Sequence, residues 1–359
     1  MSDRKLTRRA FLGATAGAAA LTATGWPSPA GASDSTANGL LIPQPKRGII
    51  LYSVRDRITA PPDDTGVPYG FARVFERLAE IGYREVEFAG YTQHPDVLGG
   101  RQITPEEIRK YLDDNGLVAN GTHTSIPSQI NPTTLAQFEQ QLDIAETLGL
   151  KYIGTGADPT NSKYKADWDA AAERWNILGE MAAARGIKLY THNHDAAYDF
   201  LLDSGPLDEQ GRPTRSSGIR KLEYFFEITD PKYVYFEMDI YWAHVAQHRY
   251  RTFVDPDGYV QTSIFDPVAT VAARPKRFPL FHAKDGRRTN EPPGVGSGYT
   301  MVPFGQGDID FATFFREIGA KGWHLPNWEQ DNAPGGAADP GRSLRYAEES
   351  YRAMAELRG

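Results

Sequence analysis

The chain has 359 residues, no cysteine and a net charge of −7. Without thiols there can be no disulfides and no thiolate metal ligands, and an acidic balance with no basic run argues against a nucleic-acid surface. Tyr, Phe and Trp make up 11% of the residues, which suits an aromatic-lined pocket and an ordinary core equally well.

Near the start, Thr7-Arg8-Arg9-Ala10-Phe11-Leu12 and the weakly apolar Ala/Gly/Leu stretch after it resemble a twin-arginine export signal. Ala30-Gly31-Ala32 supplies a small-x-small cleavage pattern. Residues 1–32 are therefore expected to be a removed signal peptide, and the mature protein to be periplasmic or extracellular. A retained membrane anchor is disfavoured, because residues 10–25 are too short and too rich in Gly and Thr to span a bilayer. Residues 33–46, rich in Ser, Pro, Gly and Asn, read as a linker, and 47–359 as a single domain.

From residue 48 short apolar runs alternate with amphipathic segments. Strands are predicted at 48–53, 84–89, 117–123, 151–155, 187–193, 233–239, 277–283 and 323–329. Helical patterns lie near 69–81, 104–115, 133–148, 165–185, 218–228, 308–320 and 342–357. Thr104-Pro105-Glu106-Glu107 and Asp310 ahead of Phe311 are helix starts, and Gly82, Gly116, Gly149 and Gly186 fall where helices should stop. Strands alternating with helices at this count predict an α/β fold, a closed (β/α)8 TIM barrel. Two stretches break the rhythm. Residues 201–217 look like an inserted loop or hairpin, and 284–307 a long Gly/Pro-rich loop, either a lid or a surface excursion.

The strands end in polar residues: Glu85 and Glu87, His123, His192 and His194, Glu237 and Asp239, His282 and Lys284, and Glu329. Side chains two apart share a face of a strand, and buried unpaired such groups would cost several kcal/mol each, on the order of 2–7. Gathered at the C-terminal mouth of one barrel they form a site. Histidines and carboxylates without cysteine suit one hard or borderline divalent ion, Mn²⁺ first, with Mg²⁺, Co²⁺ or Zn²⁺ as alternatives. The expected ligands are His192, Asp239, His282 and Glu329.

The segments FEMDIYW, FHAKDG, FGQGDIDFATFF and WEQDNA, with GIILYSVRD, GYREVEFAGY and THTSI before them, resemble the sugar phosphate isomerase/epimerase family of xylose isomerase-like barrels. The likeness covers about residues 48–357. It implies one divalent metal held by Glu, Asp, His and Glu from strands five to eight. Asp239, His282 and Glu329 match three of these positions; His192 stands where the fifth-strand Glu would be, with His194 as fallback ligand or substrate contact. Glu87 matches the family's strand-two glutamate and is expected to contact substrate. Related epimerases use the fifth- and eighth-strand glutamates as a proton-transferring pair, so His192 puts a symmetric mechanism in doubt. Proton abstraction beside a metal-polarised carbonyl then falls to Glu329, Lys284 or His123.

Arg55 could hold a substrate hydroxyl or carboxylate, or form a structural ion pair. Trp242 occupies a position where AP endonucleases of the same superfamily place a metal-binding His, and is expected to be a sugar-stacking wall. Gly305-Gln306-Gly307 is weak evidence for phosphate. His244 and His248 read as a solvated helix face, and His324 as facing the helices. The expected function is a metal-dependent isomerase or epimerase of a non-phosphorylated sugar or keto-sugar, since phosphorylated sugars are scarce outside the cytoplasm. The alternatives are a lyase or hydrolase that cleaves a 3-keto-glycoside by elimination, and a non-catalytic carbohydrate-binding barrel. The expected partner is a small-molecule sugar, with neither nucleic acid nor a membrane anchor.

Overall fold

A computed structural model describes residues 39–289, 298–319 and 323–359. The expected export signal and the 290–297 part of the long loop lie outside the described residues. Eight parallel strands carry the fold: β1 Gly48–Ile50, β2 Glu85–Phe88, β3 Val118–Thr122, β4 Tyr152–Thr155, β5 Lys188–His192, β6 Val234–Asp239, β7 Leu280–Ala283 and β8 Leu325–Trp328. Seven neighbouring pairs are ladder-bonded, and the ring is completed between β3 and β4 by the His123–Gly154 bridge, where Thr124 N donates to Gly154 O at 2.8 Å. The result is a (β/α)8 barrel.

Alternation along each strand separates two cores. Val86 and Phe88 of β2, Phe236 and Met238 of β6, and Phe281 and Ala283 of β7 face outward into the large apolar layer beneath the helices. Phe88 packs there on Phe71 and Phe75 of the helix Gly70–Ile81. The inward residues build a small apolar plug of Tyr190, Leu280 and Leu325. Above it stands a polar network in which Asn327 Nδ2 donates to Glu87 Oε2 at 2.8 Å and Asn120 Nδ2 to Asn327 Oδ1 at 2.9 Å. Helix starts follow the sequence: Thr104 Oγ1 accepts from Glu107 N while Glu107 Oε2 accepts from Thr104 N, and Asp310 caps Thr313.

Several boundaries differ from the sequence-based expectation. Strand β1 stops at Ile50 because the chain turns into a 3₁₀ segment, Leu51–Val54, and a short helix, Arg55–Thr59. The end of the expected linker packs on the barrel: Leu41 N donates to Leu357 O at 3.2 Å, and Ile42 is buried. The 201–217 insert is a hairpin of Ser204–Leu207 and Pro213–Arg215, and a second hairpin, Thr252–Val254 with Val260–Thr262, was not anticipated. The 284–307 stretch begins and ends as an antiparallel pair, Asp285–Arg288 with Tyr299–Val302. Its base is fastened by Asp285, which accepts from Gly305 N at 2.9 Å and Gly307 N at 2.8 Å. The two glycine amides are thus already used by a carboxylate and Gln306 N by Pro303 O at 3.0 Å, which removes the segment as a phosphate cradle.

Glu85 sits low in the barrel, where burial pushes its carboxyl up to about 7 against the pull of Lys46 and Lys151. Its contribution to stability is therefore present below its ordinary value of 4.5 and is lost as pH rises through about 7. Glu85→Gln is expected to raise the melting temperature at pH 8 and to change it little at pH 4. Equal shifts at both pH values would show that the carboxylate is fully compensated.

Candidate active site

Strand register brings the polar ends together: His192 pairs with Glu237 across β5 and β6, and His282 with Asp239 across β6 and β7. Glu329 follows directly on β8. His192, Asp239, His282 and Glu329 each offer a donor atom within 4.8 Å of the others, and all four are buried. Glu329 Oε2 lies 2.8 Å from His282 Nδ1, and His192 Nε2 lies 3.3 Å from Asp239 Oδ2. Asp239 is held from behind, since its Oδ1 accepts from Trp242 N at 2.9 Å and its backbone N donates to Asn193 Oδ1 at 3.1 Å.

A second donor group lies deeper and shares His282 with the first: Glu87, His123, Glu237 and His282. His282 Nε2 is 3.1 Å from Glu87 Oε2 and 3.2 Å from Glu237 Oε2, and His123 Nε2 is 3.0 Å from Glu237 Oε2. Tyr190 Oη donates to Glu87 Oε1. Glu87, Glu237 and His282 lie below the cavity, and of this deeper set only His123 lines it; of the upper set His192 and Glu329 do. The upper set thus presents two donors to the cavity against one from the deeper set.

Charge is distributed unevenly across this cluster. Burial lowers His192 well below the ordinary histidine value, and the neighbouring His282 and His123 add to that. A neutral imidazole results, as a metal ligand requires; its Nε2 faces Asp239 Oδ2 and its Nδ1 is buried without a hydrogen-bond partner. Burial acts against charge on His282 as well, but Glu237, Glu329 and Glu87 outweigh it and raise the ring well above 6.5. A cation coordinated there would take the place of that proton. Burial would raise Glu329, yet His282 and Lys284 hold it well below 4.5. The donor chemistry and the unpartnered nitrogen fit a divalent ion held by His192, Asp239, His282 and Glu329.

Lys284 Nζ lies 2.7 Å from Glu329 Oε2, 3.0 Å from Asp239 Oδ2 and 2.9 Å from Asp331 Oδ1. Burial works against this ammonium, but Asp239, Glu329 and Asp331 keep it well above 10.5. Held toward its cationic form by three carboxylates, Lys284 is placed to donate a proton or hold an oxyanion, and Glu329 is the better placed of the expected bases. His123 is neutral, lowered to about 4 chiefly by burial, and able to accept a proton. Its ring fits against Gly156, where a Cβ would stand 2.6 Å from Nδ1.

These groups form one end of a cavity of about 580 Å³ at the C-terminal mouth, within the ~300–1,000 Å³ range of small-molecule sites. Tyr52, Tyr91, Thr124, Ser125 and Gln141 supply hydroxyls and an amide to its wall, and His194 and Asp331 complete the site side. Glu87 lies beneath this wall, fully buried and outside the lining. Arg55 is also outside it: its guanidinium donates to Tyr52 O at 2.7 Å and Asp331 O at 2.9 Å and lies over the Tyr52 ring. It ties two wall residues together. Trp242 borders a neighbouring cavity instead.

The rings of His244 and His248 lie 5.0 Å apart and both stand against Tyr299; His248 is exposed, as a solvated helix face requires, and His244 is partly buried. His324, stacked on Trp323 and beside Phe281, lies away from the cavity. Sequence reasoning placed Glu237 among the polar strand ends without a specific role and did not single out Tyr190, Asn120, Asn327 or Asp331. Counting back or forward by two from His192 and Glu329 would have found Tyr190, Asn327 and Asp331.

Residues 75–349 match the family model described as a xylose isomerase-like TIM barrel. The chain belongs to that family. Among solved structures, a sugar phosphate isomerase/epimerase from Parabacteroides distasonis is 22% identical, with 92% of this chain and 100% of that one covered and a TM-score of 0.62. A probable 3-DHS dehydratase from Bacillus anthracis is 14% identical (86% and 98% covered, TM-score 0.56). A 3-keto-D-glucoside 4-epimerase from E. coli is 16% identical (86% and 98% covered, TM-score 0.50). At such identities the likeness shows the barrel fold alone. Among functionally curated proteins no sequence matches it.

His192→Glu is expected to keep this xylose isomerase-like barrel folded and to maintain or raise its metal content, because Lys284 and His282 stand ready to balance the added charge. Plasma emission on the purified variant reads the outcome. A metal-free variant beside a loaded parent would show that the ring nitrogen is essential.

Proposed function

We propose that the protein is a divalent-metal-dependent isomerase or epimerase acting on a non-phosphorylated sugar or keto-sugar, by removing a proton from the carbon next to a carbonyl. The observation that carries this is the buried set His192, Asp239, His282 and Glu329 at the end of a polar cavity. When bound, the ion supplies Lewis-acid polarisation of the carbonyl. Glu329, ionised at neutral pH and lining the cavity, accepts the proton. Lys284, 2.7 Å from Glu329 Oε2, supplies a positive charge to a developing oxyanion and a proton to be returned. His123 is a second acceptor on the opposite part of the ring of strands.

A substrate without phosphate is supported by the charge of the wall. Lys284 is the one basic side chain, histidines aside, among the described lining residues, and three carboxylates already engage it. The same choice accords with the export signal proposed at Thr7-Arg8-Arg9-Ala10-Phe11-Leu12, since phosphorylated sugars are scarce outside the cytoplasm.

One observation favours a second outcome. The two carboxylates that line the cavity, Glu329 and Asp331, both follow β8, while β5 contributes a neutral imidazole. With no lining carboxylate across from Glu329, reprotonation from another face falls to His123 alone, and departure of a β-substituent competes with it. In that case the C–H electron pair becomes the C=C bond, the glycosidic C–O bond breaks, and the leaving oxygen takes a proton from Lys284.

The test is product analysis by NMR in deuterated buffer with a panel of sugars and 3-keto-glycosides, with Mn²⁺ and with chelator. Metal-dependent conversion with deuterium entering beside the carbonyl is expected for isomerisation, and release of the aglycone for elimination. Conversion that survives chelation, or none across the panel, would sink the proposal.

A further inference from the structure

Beside the cavity that holds the donor set lies a second one of about 490 Å³, bordered by Asp195, Trp242, Arg249, Tyr299, Asp331 and Asn332 among others. Asp331 borders both. The partition between them is Trp242. Its ring lies 5.5 Å from that of His194 and 5.5 Å from Lys284 Nζ, and both of those residues line the first cavity. The indole is held in place by its own backbone amide on Asp239 Oδ1 at 2.9 Å and by the edge of Tyr241 at 4.8 Å.

Each cavity alone falls in the size range that takes a whole small molecule, roughly 300–1,000 Å³. Two of them meeting at one carboxylate are more than a monosaccharide needs. The second also has its own chemistry. Trp242 and Tyr299 supply aromatic surface for the C–H face of a ring. Around them stand Arg249, paired with Asp195 at 2.8 Å, and Asn332, whose Nδ2 donates to Met301 O at 3.1 Å and whose Oδ1 accepts from Gln330 Nε2 at 2.8 Å. Aromatic faces rimmed by charged and amide groups suit a polyhydroxylated ring better than a wholly apolar one. Asp331 is a third exposed on its side chain, and only its Oδ1 faces Lys284, at 2.9 Å.

We propose that this cavity is a second sugar subsite, so that the substrate is a disaccharide-like glycoside spanning both cavities with its linkage beside Asp331. The inference rests on the sugar-acting reading of the first cavity and adds the substrate class. The reacting ring occupies the cavity of Glu329 and Lys284, and the other ring lies on Trp242. Elimination would then release that second ring into its own compartment.

The test reads binding rather than turnover. Titration of the full chain with cellobiose, maltose, trehalose and methyl glucoside, followed by ligand-observed NMR, gives the ratio of disaccharide to monosaccharide affinity. At least one disaccharide is expected to bind about 10-fold tighter than methyl glucoside, on the scale of one aromatic contact with charged hydrogen bonds. Trp242→Ala should bring that ratio close to one. Arg249→Ala, at a side chain that is 39% exposed, should lower it several-fold and covers the case in which the tryptophan variant fails to fold. A ratio near one in the parent, no binding by any disaccharide, or an unchanged ratio in folded Arg249→Ala overturns the second subsite. Selective disaccharide binding by a protein that converts nothing would keep the subsite and sink the catalytic proposal, so the two can fail separately.

Discussion

Glu329→Gln is expected to lower turnover by at least about 10²-fold, the usual scale for losing a positioned acid or base. Glutamine keeps the size and can still accept from Lys284 Nζ and His282 Nδ1, which now stand 2.7 and 2.8 Å from Glu329 Oε2. What it loses is the negative charge that those two cations stabilise, and with it both a metal-binding oxygen and the proton acceptor on the cavity wall. Metal content should fall in parallel, because one of two charged ligands in the set is gone. Plasma emission and steady-state rates on the same preparation separate the two losses. If the variant held its full metal complement and turned over almost normally, the chemistry would have to lie elsewhere, with His123 as the first candidate.

Lys284→Met is expected to cost about 3–5 kcal/mol of stability, the range for removing one partner of a buried ion pair. Methionine fills most of the same volume, so the loss measures charge more than packing. Asp239 and Glu329 would be left buried without their ammonium, and both would tend to take up protons. The deficit should therefore be larger at pH 8 than at pH 5, since a raised carboxyl contributes stability in acid and loses it as pH rises. Excess Mn²⁺ should restore part of the loss, about 2.7 kcal/mol at 100 times the dissociation constant if the ion binds only the folded chain. Urea denaturation at both pH values, with and without Mn²⁺, reads all of this. A variant as stable as its parent at pH 8 would mean that Lys284 is not the counter-charge of the site.

Much of the fold is local in origin, and that part was legible. Each barrel strand is a short run whose outward residues must be apolar to lie under a helix, as Val86 and Phe88, Phe236 and Met238 do. The inward residues are released from that demand, so Glu87, His192, Asp239, His282 and Glu329 stand out by alternation alone. Helix caps such as Thr104 with Glu107 are contained within four residues and needed no tertiary information. Strand lengths were less legible. β1 ends at Ile50 because the next residues turn beneath the mouth of the barrel, and no local signal separates that turn from a continuing strand.

The sequence by itself determined which residues could reach the mouth of the barrel and that their donors are imidazoles and carboxylates. Only the tertiary structure decided how those groups divide the work. Whether a buried group is charged depends on partners from other strands. His282 favours a positive charge, a proton or a coordinated cation, because Glu237, Glu329 and Glu87 arrive from β6, the end of β8 and β2. Lys284 is held toward its charged form because Asp239, Glu329 and Asp331 surround it. The register shift between Val86 and Glu87 in the β2–β3 pairing breaks the two-residue alternation, so Asn120 and His123 both point inward although three residues apart. The split of the mouth into two cavities by Trp242 likewise follows from how the β6 and β7 connections pack together. Side-chain periodicity is a property of one strand, whereas ionisation, register and cavity shape belong to contacts that form only when the barrel closes.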